Sequence, residues 1–535
     1  MNDLTPTEDS DARPAPTEDR DAAHGAAEGL RPAHGDRRAA SAAARDSEFL
    51  ARVALQAQVA KLADDRAVLA RELARAYREP LRPVRHALHY HLGKALAAAS
   101  AVVAPRLGER IARSVEKRNP NRFDRYLAPS GPAAAMISRF GTILMPQDAR
   151  RVTEAEVSAV KLPTSETPVV SVIIPCYGKA WLTLQCLRSI AMYRPKAPFE
   201  VIVVDNASGD PDIERLGRVK GLRLEVNGTN LGFLRSCNRA AGLARGDYLF
   251  FLNNDTLVCE NWLEPLLAVF DEFPDAGLAG SKLIFPDGTL QEAGGIVWND
   301  GSGWNYGRSD DPDKPEYNYV RQADYISGCA ILVPRALWRE LDGFDEHFAP
   351  AYCEDTDFAF RVRAAGKTVY YCPFSVVVHL DGASHGTDVT SGVKAYQVVN
   401  TRKLFDRWRE TLAAQHCPPG KEVMRARDRS LGRKTALVVD HYVPEPDQDA
   451  GSRTIMATVQ ALLDSGYAVK FWPDNLMYSP EYTTLLQYMG VETIYGRYYS
   501  FDDWMQANGE AIALAILSRP HVAPRYLAFW FTVKH

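Results

Sequence analysis

Cysteine is scarce in this chain: there are eight in 535 residues, and none forms a Cys-x-x-Cys pair. That excludes a disulfide scaffold and a structural zinc motif, and it implies a reducing compartment. A dominant charge sign is also missing. Lys and Arg total 63 against 67 Asp and Glu, a net of −4. A bulk polyanion binder is therefore excluded, and nucleic acid is not an expected partner. No run reaches the ~18 uninterrupted apolar residues of a transmembrane helix. The nearest, Ala95 to Ala104, is Ala-rich and stopped by Pro105. Met1 to Arg20 is acidic and lacks the apolar centre of a secretory leader. The expected location is cytoplasmic, with any membrane contact peripheral at the inner face. No Gly-x-Gly-x-x-Gly follows the first strand, and no Gly-x-x-x-x-Gly-Lys-Ser/Thr occurs. These absences argue against a dinucleotide dehydrogenase and a P-loop NTPase. What remains is an ordinary globular balance, 46% hydrophobic and 24% charged. The length suggests three or four domains at ~150 residues each.

Residues 1–45 are rich in Ala, Asp, Arg and Pro, and Pro6-Thr7-Glu8-Asp9 returns as Pro16-Thr17-Glu18-Asp19. With almost no large apolar residue to offset ordering entropy, this segment is expected to be a disordered tail. A helical region is expected over 46–120. Leu55, Val59, Leu62, Leu69 and Leu73 keep a four-three spacing. That spacing predicts an amphipathic helix or short coiled coil, a candidate oligomer contact. Pro80 and Pro83 end it. The basic stretch from Val84 to Val115 reads as a membrane-facing helix or, preferably, as a solvated helix packed on the next domain. Residues 121–167 read as a linker.

From 168 the texture turns α/β. Val169 to Pro175, Phe199 to Val204 and Asp247 to Leu252 are apolar strand runs, with helices expected near 180–193 and 231–244. Such alternation predicts a mostly parallel sheet flanked by helices, with ligands at the carboxyl ends of its strands. This domain is expected to end near 415. A linker over 416–433 and a partial Rossmann-like lobe over 434–535 follow. The lobe is built on strands Thr435 to Asp440 and Ala468 to Trp472, with a helix between.

The strand ends carry the chemistry. Asp205 closes one strand, where a carboxylate can accept hydrogen bonds from a nucleoside or simply form an Asx turn. Leu252-Asn253-Asn254-Asp255-Thr256 closes another. A hard carboxylate there suits Mg²⁺ or Mn²⁺, which neutralises a diphosphate. Tyr352-Cys353-Glu354-Asp355-Thr356-Asp357 opens a helix. Acids are stabilised there by the helix dipole alone, and the same position suits a general base. Val376-Val-Val-His379 ends a strand on an imidazole, with Ser384 and His385 beyond. Paired with Asp255, a histidine would complete a mixed oxygen and nitrogen metal site.

Taken in order, these residues resemble the family 2 glycosyltransferases. The likeness runs through Ser171-Val-Ile-Ile-Pro-Cys-Tyr177, Val204-Asp-Asn-Ala-Ser208, Asn230-Leu-Gly-Phe233 with Asn238, and Leu252-Asn-Asn-Asp255. It continues through Ser327-Gly-Cys329, Gly343-Phe-Asp-Glu346, Glu354-Asp355, Gly366 and His379. It covers 168–415, and the subgroup resembled is the rhamnosyltransferase-like enzymes of bacterial O-antigen and cell-surface polysaccharide assembly. The resemblance implies a GT-A fold. It also implies inverting, metal-dependent transfer of a sugar from a nucleotide-diphospho-sugar to a growing surface polysaccharide or lipid-linked glycan.

By position, Pro175, Tyr177, Asp205, Asn230 and Asn254 would meet the donor nucleotide. Asp255 and His379 would hold Mg²⁺ or Mn²⁺. Asn253 stands where the family signature has its first Asp, which leaves one carboxylate at the metal. Asp355 would be the catalytic base, with Glu354 the other member of the pair. The stretch 434–535 resembles the first lobe of a family 4 glycosyltransferase of GT-B fold, through Val438-Val-Asp-His-Tyr-Val-Pro444 and Asp449-Ala-Gly-Ser-Arg453. The donor sits mostly on the second lobe of such enzymes, so no second activity is expected from this stretch. Two competing readings are a sugar-1-phosphate nucleotidyltransferase and a non-catalytic scaffold. Pro175-Cys-Tyr-Gly-Lys179 lacks the glycine run of the first, while Asn253 and the partial lobe favour the second.

Overall fold

The computed structural model describes residues 151–380, 395–496 and 498–527. The expected tail, the helical region and the first part of the linker lie outside these residues, as do Ser384 and His385. The apolar runs form a ten-stranded mixed sheet. Its strands are β1 (Val170–Cys176), β2 (Phe199–Asp205), β3 (Leu222–Val226), β4 (Tyr248–Leu252), β5 (Thr256–Val258), β6 (Ala276–Ile284) and β7 (Leu290–Glu292). A hairpin of β8 (Gly295–Val297) and β9 (Gly303–Asn305) stands apart, and β10 (Arg321–Gln322), β11 (Ala330–Pro334) and β12 (Thr368–His379) complete the sheet. The order is β10-β12-β6-β11-β4-β1-β2-β3, with β5 on β12 and β7 on β6. Pairing is parallel from β3 to β4 and between β6 and β12, and β11 enters antiparallel between β4 and β6. This is the helix-flanked mixed sheet expected of a GT-A domain.

Side-chain alternation divides the core between the two faces. Ile173, Ile202, Val204 and Phe251 pack toward helices Gly232–Leu243 and Glu354–Ala364. Val172, Ile174, Val203 and Leu252 pack toward helices Ala180–Met192 and Glu264–Glu272. Because both faces are covered, β1 and β2 are buried at every position, which is why they read as unbroken apolar runs. The chain steps outward from β1 to β2 and β3, then returns to place β4 on the other side of β1. That reversal is a topological switch point at the carboxyl ends of β1 and β4, the place where open α/β sheets bind ligands.

Two expected boundaries shift. Part of the 121–167 linker belongs to the domain: helix Glu154–Ala159 has a complete capping box at Thr153, Val157 is buried, and Lys161 bridges to Lys220. The 416–433 linker is also structured. It carries the short helix Val423–Ala426 and buries Arg427 and Asp428.

The C-terminal lobe is a four-stranded parallel sheet. Its order is β15 (Glu492–Thr493), β14 (Ala468–Pro473), β13 (Thr435–Asp440) and β16 (Ile512–Leu517). The lobe is fastened to the first domain by buried charge. The Lys470 ammonium lies 2.8 Å from carboxylate oxygens of both Asp428 and Glu492, and Arg427 lies 2.7 Å from Glu492. Val320 N–H donates to the Gln487 carbonyl at 2.9 Å, and Phe374 stacks on Tyr488 with ring centroids 3.9 Å apart.

Candidate active site

Strand β4 delivers Asn253, Asn254 and Asp255 to this switch point. Asn253 N–H donates to the Cys329 carbonyl at 2.9 Å, and Asn254 Nδ2 donates to Thr183 Oγ1 at 3.2 Å. The Asn254 amide is thus engaged with the Ala180–Met192 helix. Asp255 is buried, and its carbonyl accepts from Leu380 N–H at 3.0 Å. The antiparallel pairing of β5 with β12 sets His379 opposite Thr256. This register brings His379 Nε2 within 3.3 Å of Asp255 Oδ1. Burial opposes a charged imidazole here, but Cys329 and Asp255 outweigh it and raise the His379 pKa well above its ordinary value. Gln291 on β7 meets Nδ1 at about 3.0 Å, which orients the ring.

The residues expected to meet the donor cluster at the ends of β1 and β2, with Asn230 beside them. Pro175 lies within β1, paired with Val204, and Tyr177 is exposed just beyond it. Asp205 is buried and its Oδ2 accepts from Ser208 N–H at 3.0 Å, so its side chain closes the turn that follows β2. Asn230 Oδ1 accepts from Asn206 Nδ2 at 2.6 Å and from Gly232 N–H at 3.0 Å. Asn206 in turn accepts from Leu231 N–H and from Asn227 Nδ2. The amide network ties the end of β2 to the start of helix Gly232–Leu243.

Helix Glu354–Ala364 supplies the acids. Tyr352 and Cys353 lead into it with φ of 75° and 67°, a left-handed path that costs non-glycine residues energy and turns the chain sharply. Asp355 keeps partial exposure, whereas Glu354 is 5% exposed and its Oε2 has no hydrogen-bond partner. Asp355 Oδ2 accepts from Gly328 N–H at 2.9 Å, and Oδ1 accepts from Thr356 N–H at 2.6 Å. Burial raises the Asp355 pKa despite these donors. Burial and the Asp355 charge push Glu354 up to about 8. Asp357 does not join them. It is fully buried and holds Arg361, Arg407 and Trp408 at 2.7–3.0 Å, anchoring helix Ala395–Gln415.

One short segment links both halves of the site. Ser327 N–H donates to Glu292 Oε1 at 3.0 Å, Gly328 N–H to Asp355, and the Cys329 carbonyl accepts from Asn253. The Cys329 thiol is also within hydrogen-bonding reach of His379.

Residues 171–333 match the model of the family described as Glycosyl transferase family 2. The chain carries a family 2 glycosyltransferase domain. Curated relatives agree over about the same half of the chain. The O-antigen biosynthesis protein RfbC of Myxococcus xanthus is 29% identical over 259 residues, 45% of this chain and 20% of that protein. An uncharacterized Sinorhizobium fredii protein is 27% identical over 258 residues, 46% of this chain and 28% of that one. The N-acetylglucosaminyl-diphospho-decaprenol L-rhamnosyltransferase of Mycobacterium tuberculosis is 27% identical over 280 residues, 46% of this chain and 88% of that enzyme. The chain thus spans under a third of the length of the first two relatives.

Within this family 2 glycosyltransferase domain, the fit to a divalent ion can be tested on the donor set. Among the described residues, no group of three or more His, Cys, Asp or Glu side chains could hold a metal. The protein offers one carboxylate, Asp255, and one imidazole, His379. Mg²⁺ and Mn²⁺ sites commonly use one or two protein ligands and complete the shell with water and substrate phosphates. The two residues fit that mode, with a diphosphate supplying the remaining oxygens.

Gln291 and Glu292 carry no role in the sequence reading. They lie in a three-residue edge strand with no strand-end or helix-start signature, and only the pairing of β7 with β6 brings them to His379 and Ser327. A buried Gln-Glu dipeptide is the only local signal.

The two neighbouring acids, Glu354 and Asp355, are separable by titration. As pH falls through the raised Asp355 pKa, a base at this position is lost, so kcat/KM should fall on the acid side. Glu354, pushed up by burial and by the Asp355 charge, is the harder of the two to ionise. Glu354→Gln should therefore keep kcat/KM within about threefold and leave the acid limb in place. A loss of ~10²–10⁴-fold, read from a pH–rate profile, would instead make Glu354 the base.

Proposed function

We propose that this chain transfers a glycosyl group from a nucleotide-diphospho-sugar to a glycan or lipid-linked acceptor, with inversion at the anomeric carbon. The observation that supports this most is the 327–329 segment. It ties a partly exposed carboxylate, Asp355, and the buried Asp255–His379 pair to one stretch of backbone beside the carboxyl end of β4. The acceptor hydroxyl attacks the anomeric carbon opposite the leaving diphosphate while Asp355 takes its proton. Asp255 and His379 would hold a divalent ion, which when bound neutralises charge on the departing nucleoside diphosphate. Asp205 and the Asn206–Asn230 network shape the nucleoside end of the site. The subgroup resemblance and the rhamnosyltransferase relative favour a hexosyl donor of the rhamnosyl type and a surface-polysaccharide acceptor.

The test is a panel of UDP-, GDP- and dTDP-sugars offered to the purified chain, scored by nucleoside diphosphate release and by the configuration of the product. Release with none of them, in the presence of a prenyl-diphospho-sugar acceptor, would overturn the transferase reading. EDTA should abolish release, and Mg²⁺ or Mn²⁺ should restore it. Turnover unaffected by chelation would remove the metal from the mechanism.

A further inference from the structure

Glu292 is a carboxylate that the transfer mechanism above leaves unused. It is 1% exposed, and its Oε1 accepts from Ser327 N–H at 3.0 Å. The next amide along, Gly328 N–H, donates to Asp355 Oδ2 at 2.9 Å. Two consecutive backbone amides are therefore each fixed by a carboxylate from a different element, β7 on one side and helix Glu354–Ala364 on the other. The two amides lie on either side of one Cα, so only φ and ψ of Ser327 separate their planes. With Ser327 N–H held by Glu292 and the Cys329 carbonyl held by Asn253 N–H, the short backbone between these anchors has few directions left for Gly328 N–H. Burying a carboxylate is costly unless it is paired or hydrogen-bonded. Here burial pushes Glu292 up to about 7, with the nearby Asp355 adding to the rise and the Ser327 hydrogen bond opposing it. An apolar residue on β7 would avoid that cost but would leave Ser327 N–H without its acceptor.

We propose that Glu292 is a positioning residue for transfer: through Ser327 it sets the Gly328 amide that aims the Asp355 carboxylate at the acceptor hydroxyl. It touches neither donor nor acceptor. The inference rests on Asp355 being the base, as in the function proposed above. The needed atom is an oxygen acceptor rather than a negative charge, so the isosteric amide can replace it.

Glu292→Ala and Glu292→Gln are made in the full chain and assayed with whichever nucleotide sugar the wild type turns over. Glu292→Ala should lower kcat by about 10- to 100-fold while the donor KM stays within twofold. Glu292→Gln should recover most of the lost kcat. Amide hydrogen exchange should rise in the peptide spanning 326–330 for Glu292→Ala and return toward wild type for Glu292→Gln. Unchanged kcat in Glu292→Ala would overturn the proposal. So would a Gln variant as slow as the Ala variant, or a rise in donor KM that accounts for the loss. Should Glu292→Ala fail to fold, Glu292→Gln against Glu292→Asp decides the matter. The shorter Asp cannot reach Ser327 N–H and should be the slow one, and equal rates would overturn the proposal. If the wild type turns over no donor, it is the transferase reading that has failed. The exchange of the 326–330 amides still reports whether Glu292 holds this segment.

Discussion

Asp355→Asn should lower kcat by ~10²–10⁴-fold, with nucleoside diphosphate affinity unchanged. The substitution keeps the side-chain shape and one carbonyl oxygen, so the Gly328 or the Thr356 amide retains an acceptor. What is lost is a group able to take the acceptor proton. A carboxylate offers about four lone-pair sites, and the three hydrogen bonds to Asp355 from Gly328 and Thr356 leave one for that proton. Its partial exposure also sets it apart from its neighbour, because Glu354 is buried. Calorimetric titration with nucleoside diphosphate and Mg²⁺, beside a turnover assay, separates the two effects. Wild-type turnover in the variant would remove Asp355 from its role. A loss of nucleotide affinity equal to the loss of rate would place it in donor binding instead.

The second large effect concerns the join between the two α/β units. Lys470→Met should destabilise the chain by about 3–5 kcal/mol, the usual cost of removing one partner from a buried ion pair. The ammonium sits between Asp428 and Glu492, and all three side chains are at most 3% exposed. Burial alone would favour neutral forms. The neighbouring charges outweigh it, lowering Asp428 to about 2 and raising Lys470. In the variant, Arg427 still faces Glu492, but Asp428 loses its closest cation and Tyr319 loses the ammonium beside its hydroxyl. Urea unfolding followed by tryptophan emission measures the loss, since Trp472 lies on the same strand as Lys470. Adding Asp428→Leu should recover part of it, because an apolar replacement leaves no stranded charge. A loss below about 1 kcal/mol, the value of an exposed pair, would mean the lobe is not fastened here.

Local pattern is enough to read the strands of the first half of the domain. β1, β2 and β4 are buried on both faces, so the apolar run itself marks the element. The lobe at 434–535 was legible for the same reason, as β13 and β14 fall where their apolar runs lie. Its role as a packed partner of the first domain was not. Lys470 and Glu492 look like ordinary solvated charges until the fold sets them against Arg427 and Asp428. The stretch 416–433 reads as a linker on the same ground, since its polar residues are buried by pairing across elements rather than by hydrophobic periodicity.

The site divides in the same way. The sequence by itself determined which chemistry is available: an acid at the end of β4, an acid pair at a helix start and a histidine at a strand end. Each is a short-range feature, because strand ends and helix starts are marked by neighbours within a few residues. Only the tertiary structure decided which of these groups meet. His379 reaches Asp255 because β5 pairs antiparallel with β12, and Glu292 reaches Ser327 N–H because β7 pairs with β6. Strand register is set by packing across the whole sheet, and nothing local to Gln291, Glu292 or His379 encodes it.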